Sequence, residues 1–132
     1  MSSTLKYIKE KGAYEEKDYP YTAKDSTCKT PSAPKWKISS YQDGKDCNIL
    51  MEGLKKGPVS VAVDATKFST YKGGIIDDCG STPNSGSLVV GVNQNYWLLK
   101  ESFGTRFGEN GYVRIAPGNT CAVCQMVSFP QL

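Results

Sequence analysis

The sequence contains no histidine. The Ser-His-Asp and Cys-His arrangements of nucleophilic catalysis both need an imidazole that titrates near neutral pH, so this chain alone completes neither. Metal sites built on imidazole ligands are excluded for the same reason. We therefore expect no metal ion and no other cofactor.

Long apolar runs and a strong charge excess are also lacking. No stretch approaches the roughly 20 apolar residues of a membrane-spanning helix. Sixteen basic and thirteen acidic residues give a net charge of +3, which is too small to indicate nucleic acid or an anionic membrane as a partner. Residues 1–6 lack the apolar run of a signal peptide. We expect no nucleic-acid binding, no membrane insertion and no signal peptide in this chain.

Cysteine is abundant for 132 residues, with Cys28, Cys47, Cys79, Cys121 and Cys124. Because the number is odd, at least one of them is free or pairs with another chain. Zinc sites typically use two Cys-x-x-Cys pairs, and only Cys121 and Cys124 form one. A redox role for that pair would need a strand-to-helix context, which the pattern does not provide. We interpret most of the cysteines as disulfide partners in an oxidising compartment.

The N-terminal part of the chain predicts one helix and one irregular loop. A helix is expected from Ser2 or Ser3 to Gly12, with a hydroxyl N-cap and a glycine stop. Residues 13–34, which include Pro31, are rich in tyrosine and proline and are typical of a loop.

The rest of the chain predicts mainly strands. Alternating or continuous apolar residues predict a helix at 43–56 and strands at 35–41, 59–63, 88–92, 96–99, 112–115 and 126–129. The run at 88–92 is unbroken and is expected to be buried on both faces. Together these elements predict an α+β fold, a small antiparallel barrel or sheet with short helices.

Several short motifs, in a fixed order, resemble the papain-like cysteine peptidases. They read Gly-Pro-Val-Ser-Val-Ala-Val-Asp-Ala at 57–65, Tyr-Lys-Gly-Gly-Ile at 71–75, Tyr-Trp-Leu-Leu-Lys at 96–100 and Gly-Glu-Asn-Gly-Tyr-Val-Arg-Ile at 108–115. The resemblance covers nearly the whole chain. That family has a helical left domain, a right domain built as an antiparallel β-barrel, and an active-site cleft between them. The resemblance implies a left-domain remnant at residues 1–34 and the right-domain barrel at 35–132.

The catalytic positions of the family are replaced in this sequence. The family nucleophile lies in a Cys-Gly-(Ser/Ala)-Cys-(Trp/Tyr) segment near the mature N-terminus, and no such segment occurs here. By the resemblance, Ser85 stands at the histidine base, Glu101 at the orienting asparagine and Phe103 at the shielding tryptophan. A serine hydroxyl cannot accept a proton near neutral pH, and removing such a base costs several powers of ten in rate. We therefore expect no catalytic residue in this chain.

The resemblance also assigns the cysteines. It implies a disulfide between Cys79 and Cys121, and it places the partner of Cys28 in a segment that this sequence lacks. Cys28 is therefore expected to be unpaired or bonded to another chain. Cys47 and Cys124 are left over and form a possible second bridge. Cysteine usage and family together suggest the secretory pathway, a lysosome-like vacuole or the extracellular space.

The sequence is compatible with three functions. The first is a catalytically inactive homologue that acts as a structural or protein-binding module, with a protein partner or a second copy covering the former domain interface. The second is one chain of a two-chain peptidase, whose partner supplies nucleophile and base; peptide turnover only with that partner would favour it. The third is a decoy or inhibitor that binds peptides or propeptides near Val63, Gly86 and Phe103, and binding without hydrolysis would favour it.

Overall fold

The computed structural model describes residues 1–29 and 33–132. Pro31, within the predicted loop, lies outside the described residues. The chain divides into two compact units, one formed by Met1–Gln42 with Pro130–Leu132 and the other by Asp43–Phe129. The domain boundary after residue 34, inferred from the family resemblance, stays a prediction.

The described residues of the first unit contain one helix, α1, at Ser2–Lys11. Gly12 ends it with a backbone φ of 88°, a left-handed value that glycine adopts at little cost. The expected hydroxyl N-cap is wrong, because Met1 is the N-cap and no side chain bonds to the first turn. Ala13 pairs with Trp36 through two backbone hydrogen bonds of 2.7 and 3.3 Å. That bridge is isolated and belongs to no strand. The strand predicted at 35–41 is therefore confirmed only at residues 40 and 41, where the strand Ser40–Gly44 begins.

In the described part of the chain, seven strands form one mixed sheet. They are β1 Ser40–Gly44, β2 Val59–Val63, β3 Ile75–Ile76, β4 Ser85–Val92, β5 Trp97–Lys100, β6 Tyr112–Ile115 and β7 Val127–Gln131, in the order β1-β7-β2-β4-β5-β6-β3. The α+β class is confirmed. The expected antiparallel barrel needs two corrections: β3 pairs parallel with β6, and the described strands form an open sheet because β1 and β3 lie at opposite ends of that order.

The second helix, α2, runs over Cys47–Leu54 in the second unit. Asp46 caps it, because its Oδ1 accepts hydrogen bonds from the backbone N–H groups of Asn48 at 2.6 Å and Ile49 at 3.1 Å. Leu50 is fully buried and belongs to the main hydrophobic core. The helix therefore occupies a shorter range than the predicted 43–56.

The core of the second unit lies on one face of the sheet. In β2, the valines at 59, 61 and 63 are fully buried, while Ser60 and Ala62 are half-buried, as the period of two requires. The expectation that 88–92 is buried on both faces is wrong. Val89 is its one fully buried residue, Val92 is exposed, and the pairing with β5 shifts register between Val89 and Gly91.

Two disulfides lie within the second unit. One joins Cys47 of α2 to Cys124, and the other joins Cys79 to Cys121. Cys28 is exposed and has no disulfide partner within residues 1–29 and 33–132. Across the described parts of the chain, no helix combines the length and apolar character needed to span a membrane.

Candidate functional site

Strand pairing brings together two of the positions singled out in the sequence. Ser85 is the first residue of β4 and pairs with Val63 of β2. Glu101 directly follows Lys100, the last residue of β5, and Lys100 pairs with Leu88 of β4. In an antiparallel pair, this register places Ser87 opposite Glu101. Ser85, Ser87, Glu101 and Phe103 are called the strand-end site below.

Glu101 is the most unusual member of the strand-end site, since only 8% of its surface is exposed. Ser87 Oγ donates a hydrogen bond of 2.5 Å to Glu101 Oε1, and the Glu101 backbone N–H donates to the carbonyl oxygen of Gly111 at 2.9 Å. Glu101 Oε2 is buried and has no hydrogen-bond partner among the described residues. Burial raises the pKa of the Glu101 carboxyl, and the bond from Ser87 opposes that rise.

Ser85 lies on the same face of β4 as Ser87, because side chains alternate along a strand. Ser85 is half-buried and is a diagonal neighbour of Glu101 across the β4–β5 pair. Such neighbours have Cα atoms about 7–8 Å apart. Among the described residues, the carboxyl accepts a hydrogen bond from Ser87 and none from Ser85. The two positions are therefore brought close without forming a base-and-orienting pair.

Sequence reasoning missed Ser87. Its signal is a polar residue two positions after Ser85, in a stretch that otherwise becomes apolar. Recognising its role requires the register between β4 and β5, which pairs residues that are 14 positions apart in the sequence.

The start of β4 is fixed by hydrogen bonds to the segment that follows β2. Asn84 Oδ1 accepts from the Ala65 backbone N–H at 2.8 Å. Asp64 is buried and accepts from Thr66 N–H, Thr66 Oγ1 and Thr82 N–H. The bonds from Thr66 hold the pKa of the Asp64 carboxyl below its usual range. These bonds give Ser85 a defined position.

Phe103 adds an exposed aromatic ring. Its surface is 53% exposed, and it packs edge-on against Phe107 with ring centroids 5.0 Å apart and planes at 77°. Phe107 in turn lies 6.2 Å from the ring of Tyr71. The outer ring of this row faces solvent and offers an apolar contact surface.

The chemistry of the strand-end site is hydrogen bonding and apolar contact. It offers two hydroxyls, one buried carboxyl and one exposed ring, and it contains no imidazole and no thiol. The four cysteines in disulfides lie at other positions of the second unit, and Cys28 belongs to the first unit. In the described residues, no group of three or more histidine, cysteine, aspartate or glutamate side chains is arranged to hold a metal ion.

Comparisons with known proteins show what the chain as a whole is similar to. A family model described as papain family cysteine protease matches residues 1–131. The chain is 40% identical over 134 aligned residues to cathepsin L 2 of Paramecium tetraurelia and 35% identical over 147 to cathepsin S of Mus musculus. Both alignments cover 100% of this chain and 43% of the relative. The chain thus spans less than half the length of these curated relatives.

Solved structures agree in fold. The cysteine protease of Carica candamarcensis superposes with a TM-score of 0.91 at 30% identity, covering 98% of this chain and 67% of that one. Digestive procathepsin L 3 of Tenebrio molitor gives a TM-score of 0.89 at 38% identity, covering 100% of this chain and 48% of that one.

Proposed function

Because the chain belongs to the papain family of cysteine proteases, we propose that it is a non-hydrolysing member that acts as a protein-binding module. The observation that carries this proposal is the strand-end site. From the order of the motifs we infer that Ser85 stands at the position of the family's base and Glu101 at the position of its orienting asparagine. The second position is already engaged, because Glu101 accepts a hydrogen bond from Ser87.

The chemistry of the two replacements supports loss of hydrolysis. A papain-type reaction needs a base that takes a proton from the thiol and returns it to the leaving amine. A serine hydroxyl can donate and accept hydrogen bonds, but it cannot hold that proton near neutral pH. A carboxyl in place of the asparagine amide lacks the two N–H donors of that amide. Losing members of such a unit costs several powers of ten in rate.

Retention of the scaffold supports a role that depends on shape. The core valines of β2 are buried, and both disulfides of the second unit connect elements that are distant in sequence. Each bridge closes a loop and thereby lowers the entropy of the unfolded chain, which stabilises the fold by about 4 kcal/mol. These disulfides are consistent with the secretory pathway, where we propose that the protein acts. A partner protein or a second copy would bind the surface that faces the left domain in the family.

A hydrolysis assay tests the first half of this proposal. The purified chain is incubated with a mixture of fluorogenic peptides, alongside the Ser85→Ala and Glu101→Gln variants and a Ser102→Ala control at an exposed neighbouring position. We expect no cleavage above the buffer rate for any of the four proteins. Cleavage by the unmodified chain that falls in Ser85→Ala or Glu101→Gln, and persists in Ser102→Ala, would contradict the proposal.

Light scattering after size exclusion tests the second half. The chain is measured at several concentrations, without a reducing agent so that the disulfides stay intact. A concentration-dependent dimer, or a stoichiometric complex with a co-purifying protein, supports a binding module. A monomer at every concentration with a single cooperative melt would contradict the self-association form of the proposal.

A peptide-binding decoy is the second candidate, and the exposure of Phe103 favours it. An exposed aromatic ring beside an open strand end can contact an extended peptide. A beta-carbon added at Gly86 would meet no atom within 4 Å, so the face of the sheet at Gly86 is unobstructed. Fluorescence anisotropy with a labelled mixed-sequence peptide library tests it. Saturable binding that Phe103→Ala weakens supports the decoy, and binding unaffected by that change rules out this surface.

A further inference from the structure

The Glu101 carboxyl lies where an ionised group is poorly accommodated. It is 92% buried, since 8% of its surface is exposed, and it receives one side-chain hydrogen bond, from Ser87. The titratable or charged side chains on the neighbouring segments are Asp64, Lys100, Arg106, Glu109 and Tyr112. Among the described residues, none of them forms a hydrogen bond to this carboxyl. A buried carboxylate without a cation is costly, because neither water nor an opposite charge stabilises it.

Two of those charged groups are already engaged elsewhere. The Arg114 guanidinium donates two hydrogen bonds to the Glu109 carboxylate, one to each oxygen. Asp64 accepts three hydrogen bonds from the Thr66 and Thr82 groups. Lys100 and Arg106 are exposed. Ionisation of Glu101 is therefore not compensated by any of these side chains in its present position.

Few hydrogen bonds hold the segment that follows Glu101, and the Phe103 ring packs against Phe107. Residues 102–106 are all exposed. Gly104 has a φ of 84°, and a beta-carbon added there would meet no atom within 4 Å. The backbone bonds that retain the segment are few: Glu101 N–H to the Gly111 carbonyl at 2.9 Å and Phe107 N–H to the Gly104 carbonyl at 3.1 Å. A small backbone rearrangement would bring the carboxyl into water.

We propose that Glu101 is a pH-sensitive switch for the segment 101–106. The neutral carboxyl stays buried against Ser87 and holds the segment at the end of β4. The ionised carboxylate moves into water and releases the segment, together with the exposed ring of Phe103. Acidic conditions therefore close the strand-end site, and neutral conditions open it.

The direction follows from the burial of the carboxyl. Burial raises the pKa of Glu101, so the proton is retained above the pH at which an exposed glutamate loses it. In the closed form the carboxyl binds more protons than in the open form, and raising the pH through this range favours the open form. The effect saturates once the closed-form carboxyl is ionised.

Amide hydrogen exchange measured by NMR tests the switch. The reporters are the N–H groups of Glu101, Phe107 and Gly111, which donate backbone hydrogen bonds in the closed form. After correction for the intrinsic pH dependence of exchange, protection should fall between about pH 4 and about pH 7.5, a range that begins just below the ordinary pKa of glutamate. In Glu101→Gln, which remains uncharged, protection should be the same at both values. The matched control Glu52→Gln, at an exposed position of α2, should behave like the unmodified chain.

A second variant keeps the proposal testable if Glu101→Gln does not fold. Ser87→Ala removes the one bond that opposes the raised pKa of Glu101, so the midpoint of opening should move to higher pH. Purely structural loosening would instead lower protection equally at every pH. Protection that is independent of pH in the unmodified chain, or an unchanged midpoint in Ser87→Ala, would overturn the proposal.

Discussion

Replacing Gly53 with alanine changes the stability of the protein through two physical effects of opposite sign, whose magnitudes can be compared. Gly53 lies inside α2 and is buried. In an exposed helix, this change stabilises the helix by about 1 kcal/mol, because glycine has the greater backbone freedom in the unfolded chain. Helix propensity alone therefore predicts a more stable protein.

The packing around Gly53 predicts the opposite sign. An added beta-carbon would lie 2.7 Å from Phe129 Cδ1 and 2.7 Å from Val59 Cγ2. Favourable carbon contacts need about 3.5–4.0 Å, so both neighbours must shift, and both are almost completely buried. Overpacking of this kind costs about 1–3 kcal/mol. We expect a net loss of about 1 kcal/mol, which corresponds to a melting temperature lower by about 4 °C.

Denaturant unfolding and thermal melting of the oxidised protein measure this difference. Gly57→Ala is the control, because a beta-carbon at that position would meet nothing within 4 Å. We expect the control to be as stable as the unmodified chain or more stable by up to about 1 kcal/mol. A Gly53→Ala variant that is more stable than the unmodified chain would refute the packing argument.

Three further outcomes are expected. Thiol titration of the unreduced, denatured chain should find one reactive group, Cys28, and five after reduction; three or more before reduction would contradict the two disulfides. Glu109→Gln should lower the melting temperature at neutral pH, because Arg114 holds the pKa of the Glu109 carboxyl below its usual range. The loss of stability should be constant above about pH 4.5 and should shrink as the pH falls through the folded-state pKa. A loss that grows in acid would refute the pairing. Tyr71→Phe should lower the free energy of unfolding by about 1–2 kcal/mol, because the hydroxyl donates to the Gly74 carbonyl and accepts from the Arg114 backbone N–H; chemical denaturation that finds no change would show that water replaces both bonds.

Much of the local structure was predictable from the sequence. The strand at 59–63 and the strand at 112–115 were predicted with their observed bounds, because alternating apolar residues leave one face to bury. The helix ending at Gly12 was predicted from its glycine stop. The replacement of the catalytic positions, inferred from motifs whose order resembles the family, stays a prediction.

Other features depended on contacts between distant residues. The two-residue strand β3 is too short to produce a periodic pattern, and it exists because it pairs in parallel with β6. The partial burial of 88–92 was not predictable, because an unbroken apolar run does not say how many of its faces are covered. The open order of the strands likewise depends on pairings between separate segments of the chain.

The sequence by itself determined the absence of an imidazole and the family to which the motifs point. These properties depend on residue type and order alone. The tertiary structure alone decided that Ser87 and Glu101 meet, and that one carboxyl oxygen is buried without a partner among the described residues. The reason is physical: burial and hydrogen bonding depend on strand register, and register is set by how the whole sheet packs on its core.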